Sequence, residues 1–207
     1  MSAFEFFFSF YGLLLGLSVA ELVGGFARVL HERQRVRFGW LTPLLAVFVA
    51  VDLATFWNQA WRFFRDAPFN PALLLVGLVI ASTFYIAASV TFPRVSAEGV
   101  ETRIDLDEHF WSHRRVVFGC VLAANALVWA LLGALALVDA EWAALWSPRL
   151  VIGVGLFAVC TATAAFAPQR PVVITAMLVV LAYTLWNMAR AGAILIAQGG
   201  WSPATGG

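Results

Sequence analysis

The sequence predicts an all-α integral membrane protein with six transmembrane helices, and two observations lead to this prediction. Of the 207 residues, 62% are hydrophobic, a share well above that of ordinary soluble domains. Six apolar runs are each long enough to cross a bilayer, which takes about 20 mostly apolar residues. The connections leave no room for a soluble domain, so we treat residues 1–207 as a single membrane domain.

The predicted spans follow one another closely along the chain. They cover residues 6–30, 40–64, 71–92, 116–138, 150–167 and 172–197. Only the connection at residues 93–115 is long. Its second half, residues 104–115, spaces acidic, histidine and aromatic side chains as a short amphipathic helix does. We therefore expect a connector helix on the cytoplasmic surface before the fourth span.

Arginine placement predicts the orientation of the chain. All thirteen basic residues are arginines, and loops rich in basic residues stay on the cytoplasmic side. Nine lie at connections that share one side in a six-span chain: Arg28, Arg33, Arg35, Arg37, Arg94, Arg103, Arg114, Arg115 and Arg170. This predicts a protein of the bacterial inner membrane with both termini on the non-cytoplasmic side.

Composition also argues against several classes of function. The net charge of +1 gives no reason to expect nucleic acid as a partner, and the absence of lysine excludes any mechanism that needs a lysine Schiff base. Cys120 and Cys160 both lie in apolar runs, where cysteine behaves as a small hydrophobic residue. No nucleophile, base or metal set can be assembled at one depth. We therefore expect no cofactor, and the sequence does not favour an enzyme.

An internal repeat is a weaker prediction. An offset of 103 residues places span four on span one, span five on span two and span six on span three. It aligns Glu5, Phe7, Ser9 and Gly16 with Glu108, Phe110, Ser112 and Gly119. A three-helix unit repeated in this way is inverted across the membrane, an arrangement known among transporters. Because six-helix chains also align by hydropathy alone, the sequence leaves the repeat open.

The first span carries a stripe of small residues. Gly12, Gly16, Ala20 and Gly24 recur at every fourth position, so they lie along one side of a helix. Small residues at this spacing allow two membrane helices to approach closely. We expect the stripe to pack inside the bundle, against a second protomer or against another membrane protein.

Charged and amide side chains within the spans are the strongest functional signal. Ionisable groups at membrane depth usually face a partner or a cavity. The candidates for an ion, proton or substrate path are Glu21, Asp52, Asn58, Asn187 and Arg190. Depths taken from the midpoints of the runs predict a contact between Asp52 and Arg190, direct or through Asn187 or a water. The same reasoning leaves Glu21 without a close partner, because Arg28 is two helical turns away.

Aromatic and amide side chains also occur together on the second and fourth spans. Trp57, Asn58 and Trp61 lie near the end of span two, while Asn125 and Trp129 lie one turn apart on span four. Such groups either form hydrogen bonds between helices or line a pocket for an amphipathic or aromatic ligand. The sequence leaves both interpretations open.

The connector offers weak candidates for metal ligands. Asp105, His109 and His113 recur at four-residue intervals, so they lie near one face of a helix, and His31 is on the same side of the membrane. Two or three histidines with a carboxylate can bind zinc or iron. The chain contains no fuller metal motif, however, so the pattern also describes an interfacial helix whose polar side chains face water.

Two functions remain after these exclusions. The first is a small transporter or channel-like protein that uses its intramembrane carboxylates. The alternative is a non-catalytic accessory, assembly or oligomeric scaffold protein whose buried polar residues are structural, with a partner contact through the first helix. Residue types alone do not decide between a polar cavity and hydrogen bonds that only connect helices.

Overall fold

Nearly all of the described chain is helical. The computed structural model describes residues 3–64, 71–94 and 103–198. In chain order the elements are α1 (Ala3–His31), β1 (Val36–Arg37), α2 (Leu41–Phe64), α3 (Pro71–Thr91), β2 (Ile104–Asp105), α4 (Leu106–Val138), α5 (Ala140–Ala144), α6 (Pro148–Phe166) and α7 (Arg170–Ala197).

Six of these helices are long and apolar enough to cross a membrane, as the sequence predicts. They are α1, α2, α3, α4, α6 and α7, and the short α5 connects α4 with α6. The predicted connection at residues 65–70 and residues 95–102 of the predicted connector lie outside the described residues.

The predicted connector helix is not a separate element. Helix α4 runs without a break from Leu106 to Val138 and has 33 residues, a length of about 50 Å. No glycine or proline interrupts its first three turns, so the amphipathic segment continues directly into the fourth span. A helix of this length is longer than the bilayer core, which is about 30 Å thick. We infer that the first turns of α4 extend beyond the core.

Local sequence explains where α4 begins. The carboxylate of Asp105 accepts hydrogen bonds from the backbone amides of Asp107 and Glu108, at 2.8 and 3.3 Å. This is an N-cap, which satisfies amides that have no partner within the helix. Ser147 caps α6 in the same way and is followed by Pro148, which tolerates the first helical position well.

The two halves of the bundle pack differently. In the first half, α1 packs broadly on α3, and α2 contacts both. In the second half, α6 lies against both α4 and α7, while α4 and α7 share at most a slight contact. A repeat would require the α1–α3 contact to recur between α4 and α7. The helix packing therefore does not confirm the predicted inverted repeat.

Short parallel pairing joins the two longer connections at one end of the bundle. Val36 of β1 pairs with Ile104 of β2, and Arg37 pairs with Asp105. The side chains of Arg37 and Asp105 also form a salt bridge of 3.4 Å between Nη1 and Oδ2. We call this end, formed by residues 31–41, 103–115 and 164–171, the arginine-rich end.

Asp107 connects the start of α4 to two further segments at the arginine-rich end. Its Oδ1 accepts a hydrogen bond from the backbone amide of Leu41 at 3.2 Å, and its Oδ2 lies 2.7 Å from Nη2 of Arg170. Gly39 passes so close that a Cβ at this position would overlap the carboxylate. The starts of α2, α4 and α7 therefore meet around one side chain.

Candidate functional site

The central polar contact of the bundle joins Asp52 on α2 to Asn125 on α4. Nδ2 of Asn125 donates hydrogen bonds of 3.0 Å to Oδ2 of Asp52 and of 3.0 Å to the carbonyl oxygen of Val121. Asp52 is only 6% exposed and Asn125 only 7% exposed. Leu53 and Phe56, which follow Asp52 on α2, are also buried, each 3% exposed. A carboxyl group is thus buried inside the bundle beside a neutral amide.

The predicted contact between Asp52 and Arg190 is wrong. No salt bridge within the described residues involves Asp52. Its partner is Asn125, and Arg190 is exposed near the far end of α7. Asp52 on α2 and Arg190 on α7 therefore lie at different depths along the bundle. The contacts of α6 explain why the sequence placed them at similar depths.

Contacts of α6 give the depth of each group. Trp129, one turn beyond Asn125, packs edge-on against Phe157 at 5.8 Å between ring centroids. Two turns away on α6, Nη2 of Arg149 donates a 2.6 Å hydrogen bond to Oδ1 of Asn187. Eight residues of helix separate Phe157 from Arg149, a distance of about 12 Å. Depths taken from the midpoints of the predicted spans were wrong because the C-terminal part of α7 extends well past the start of α6.

Glu21 does have a partner, contrary to the prediction. Nη2 of Arg28 lies 3.4 Å from Oε2 of Glu21, and their side chains are 48% and 30% exposed, respectively. The arginine side chain runs back along α1 past Gly24, where no Cβ blocks it. The extended side chain of Arg28 therefore spans the two helical turns back to Glu21. The sequence prediction had treated this separation as too long for a close contact.

Asn58 lies in a groove on the side of the bundle, between α1 and α2. The groove has a volume of about 460 Å³ and is lined by Leu15, Val19, Ala50, Leu53, Ala54, Trp57, Asn58 and Trp61. The ring of Phe8 packs edge-on against Trp57 and Trp61, with centroids 5.5 and 5.0 Å away. Asn58 is the polar side chain in an otherwise apolar and aromatic lining, so the amide and the tryptophans do border a cavity.

The five candidate path residues do not lie together. Asp52 is inside the bundle, Asn58 is in the lateral groove, and Glu21 is on an outer flank of α1. Asn187 bonds to Arg149, and Arg190 lies about one turn beyond it on α7. Of the five, Asp52 is the one whose side chain is buried.

The weak metal candidates have other contacts. Asp105 caps α4 and binds Arg37. Nε2 of His109 donates to the carbonyl oxygen of Val90 at 3.1 Å, and its ring stacks on His113 with 4.2 Å between centroids. His31 ends α1 and is exposed. Within the described residues, no group of three or more histidine, cysteine or acidic side chains is arranged to hold a metal ion.

Arg114 is a buried charged residue that the functional reading of the sequence missed. Its Nη1 donates hydrogen bonds to the carbonyl oxygens of Ala164 and Ala167, at 3.2 and 2.6 Å, and its guanidinium lies 4.0 Å from the ring centroid of Trp111. The cation thus caps the C-terminal end of α6, where the helix dipole favours positive charge. The sequence did indicate this burial, because Arg114 lies at helical spacing from the apolar residues Phe110, Phe118 and Val121.

No protein-family model, curated protein or solved structure matches the chain. The six long apolar helices are consistent with an integral membrane protein. Evidence for a more specific function therefore comes from the contacts that the residues of this chain make.

Proposed function

We propose that the protein is a small transporter or channel-like protein of the bacterial inner membrane in which Asp52 binds a transported or coupling proton. The observation that carries this proposal is the buried contact between Asp52 and Asn125. Ionisable residues inside a membrane bundle are rare and are functional candidates by default. Among the acidic side chains of the described spans, Asp52 is the one that is both buried and bonded to a neutral partner.

The chemistry of this pair suits reversible protonation. Burying an ionised carboxylate without a cation is costly, and Asn125 supplies a single neutral hydrogen bond to Oδ2. A proton bound to the carboxyl removes the charge without displacing the amide. Loss of that proton leaves a charge between α2 and α4, so protonation changes the free energy of the contact between these helices.

The orientation follows from the arginines. If the arginine-rich end faces the cytoplasm, as basic loops do, a proton that reaches Asp52 from outside enters from the opposite end. Both chain termini are then on the non-cytoplasmic side. At this non-cytoplasmic end, most residues of α7 beyond Leu181 are exposed, and such sparse packing favours opening there.

Proton flux into proteoliposomes tests the proposal. We expect vesicles holding the wild-type chain to acidify under an imposed membrane potential, and Asp52→Asn to lower the rate by about tenfold or more, since the amide cannot carry the proton. Glu141→Gln is the matched control, because it makes the same acid-to-amide change at an exposed site. Unchanged flux in a folded Asp52→Asn protein would count against the proposal.

A second function, that of an accessory or assembly protein, is favoured by the dispersal of the five candidate residues. In that case the Asp52–Asn125 pair only connects helices. Replacing both members by leucine is then neutral or stabilising, because a well-packed apolar pair often replaces a buried polar one at no cost. Flux equal to that of empty vesicles in the wild type, together with full complementation of a gene deletion by the double-leucine variant, would select this second function.

A further inference from the structure

The lateral groove between α1 and α2 runs along the membrane normal. Its lining on α2 follows one face of the helix from Ala50 through Ala54 to Trp61, over about three turns or about 16 Å. Trp61 is the last residue of the apolar span Leu41–Trp61, and Ala50 lies near the middle of that span. The groove therefore extends from one surface of the bilayer core to about its centre, which is the depth of a single leaflet.

The deep end of the groove is purely alkyl. Leu15 and Leu53 form its floor and are 1% and 3% exposed. Val19 of α1 borders it on one side, while Ala50 and Ala54 of α2 are small and exposed, which leaves the space open. This part of the groove is suited to a hydrocarbon chain.

The shallow end combines aromatic rings with one amide. The ring of Phe8 packs edge-on against Trp57 and Trp61, and Trp57 also lies against α1 at Gly12, where a Cβ would come 2.9 Å from the indole. The side chain of Asn58 is exposed beside these rings and has no hydrogen-bond partner within the described residues. An amide without a partner is costly next to hydrocarbon. The shallow end is therefore suited to a group that accepts a hydrogen bond.

Gly12 is the member of the predicted small-residue stripe that serves this groove. A Cβ at Gly16 would meet nothing within 4 Å, and Ala20 is exposed. Neither of these two residues lines the groove. The stripe contributes here through the close approach of Trp57 to α1 at Gly12.

The order of groups along the groove matches the order of groups in a phospholipid. The ester carbonyls of a phospholipid lie between its headgroup and its acyl chains, so its acceptors are near the surface and its chains reach the bilayer centre. We propose that the groove binds one acyl chain of a phospholipid from this leaflet, with an ester carbonyl accepting a hydrogen bond from Nδ2 of Asn58.

Two further points support a phospholipid as the occupant. The groove opens on the side of the bundle, so the lipid itself is the solvent there, and an abundant ligand occupies a site without high affinity. The lining contains no charged residue, as a site for a neutral chain and an ester requires. The site does not depend on the proposed proton site, because Asp52 is buried and bonded to α4.

Native mass spectrometry tests whether the groove holds an acyl chain. Delipidated protein in detergent is titrated with dioleoyl phosphatidylethanolamine, and the fraction that carries one lipid is measured. Ala54→Leu fills the groove, and we expect it to weaken binding by about tenfold. Ala126→Leu is the matched control, because it makes the same change at an exposed position of α4, and its binding should equal that of the wild type. Equal binding by the two variants overturns the proposal.

A comparison of ester and ether lipids tests the role of Asn58. An ether oxygen is a weaker acceptor than a carbonyl, so we expect the wild type to bind the ester lipid about fivefold more tightly than its dialkyl ether analogue. Asn58→Leu should abolish this preference. Gln59→Leu should retain it, because Gln59 is the neighbouring amide and does not line the groove. An ester preference that persists in Asn58→Leu overturns the assigned hydrogen bond.

The lipid that copurifies from native membranes identifies the natural occupant. We expect Ala54→Leu to retain less phospholipid than Ala126→Leu. Displacement of an isoprenoid quinone or another ring compound instead of phospholipid overturns the proposal. Monodisperse elution in detergent shows that each variant is folded. If Ala54→Leu fails this check, Ala50→Leu replaces it one turn deeper in the groove, with the same expected loss of binding.

Discussion

The two ends of the bundle are held together by different kinds of contact. At the arginine-rich end, side chains reach from one element to another: Asp107 to Leu41 and Arg170, and Arg114 to the last turn of α6. At the opposite end, the exposed side chain of Arg149 on α6 donates a hydrogen bond to Asn187 on α7.

The difference suggests how such a bundle moves. Directional bonds between elements fix the relative positions of α2, α4, α6 and α7 at the arginine-rich end. Toward the other end, most residues of α7 beyond Leu181 are exposed, and so is the end of α4. Local opening is easiest where packing and hydrogen bonds are fewest. If Asp52 binds a proton as we propose, we expect the accompanying rearrangement to move the opposite end about a fixed arginine-rich end.

Removing Arg114 should give the largest loss of stability. Arg114→Met keeps the length of the side chain but leaves the carbonyls of Ala164 and Ala167 without their donor. We expect the free energy of unfolding to fall by about 3 kcal/mol, measured by denaturation in mixed detergent micelles. Arg115→Met is the matched control, since Arg115 is exposed, and its effect should stay below about 0.5 kcal/mol. If both substitutions lowered the free energy of unfolding equally, the hydrogen bonds of Arg114 would not specifically stabilise the arginine-rich end.

The sequence predicted the spans well and the polar partners poorly, for a physical reason. Hydropathy depends on composition over some twenty residues, so six spans are evident without knowledge of packing. The partner of Asp52 depends on which helices touch and at what depth, and Arg190 was placed wrongly because α7 extends past its neighbour. Asn125 was visible as an amide on span four, but nothing in its own sequence neighbourhood points to span two.

Gly39 offers the next largest effect. In Gly39→Ala, the added Cβ would overlap the carboxylate of Asp107, so the segment before α2 has to shift. Overpacking of this kind should cost about 2 kcal/mol, read from the same unfolding curves. The control is Gly119→Ala, where a Cβ meets nothing within 4 Å. Because alanine favours helix over glycine, the control should be neutral or stabilising by up to about 1 kcal/mol, and a loss there would contradict this account.

Thr42 should show a smaller effect at the same end. Its Oγ1 donates a buried hydrogen bond of 2.6 Å to the carbonyl oxygen of Leu106, which ties the start of α2 to the start of α4. Thr42→Val preserves shape and removes the donor, so the free energy of unfolding should fall by about 1 kcal/mol. Thr55→Val is the control, because the Thr55 hydroxyl bonds only to Val51 in its own helix. If Thr55→Val lowered the free energy of unfolding as much as Thr42→Val, the hydrogen bond between α2 and α4 would contribute no more than a bond within one helix.

Breaking the polar contact at the opposite end should have the smallest effect of all. Arg149 is exposed, so Arg149→Gln gives up a bond that water or lipid headgroups largely replace, and the loss of stability should stay below about 0.5 kcal/mol. A double-mutant cycle with Asn187→Ala should give a coupling energy of similarly small size. A coupling above about 1.5 kcal/mol would mean that this end is also held by directional bonds. Movement around Asp52 would then have no preferred end from which to begin.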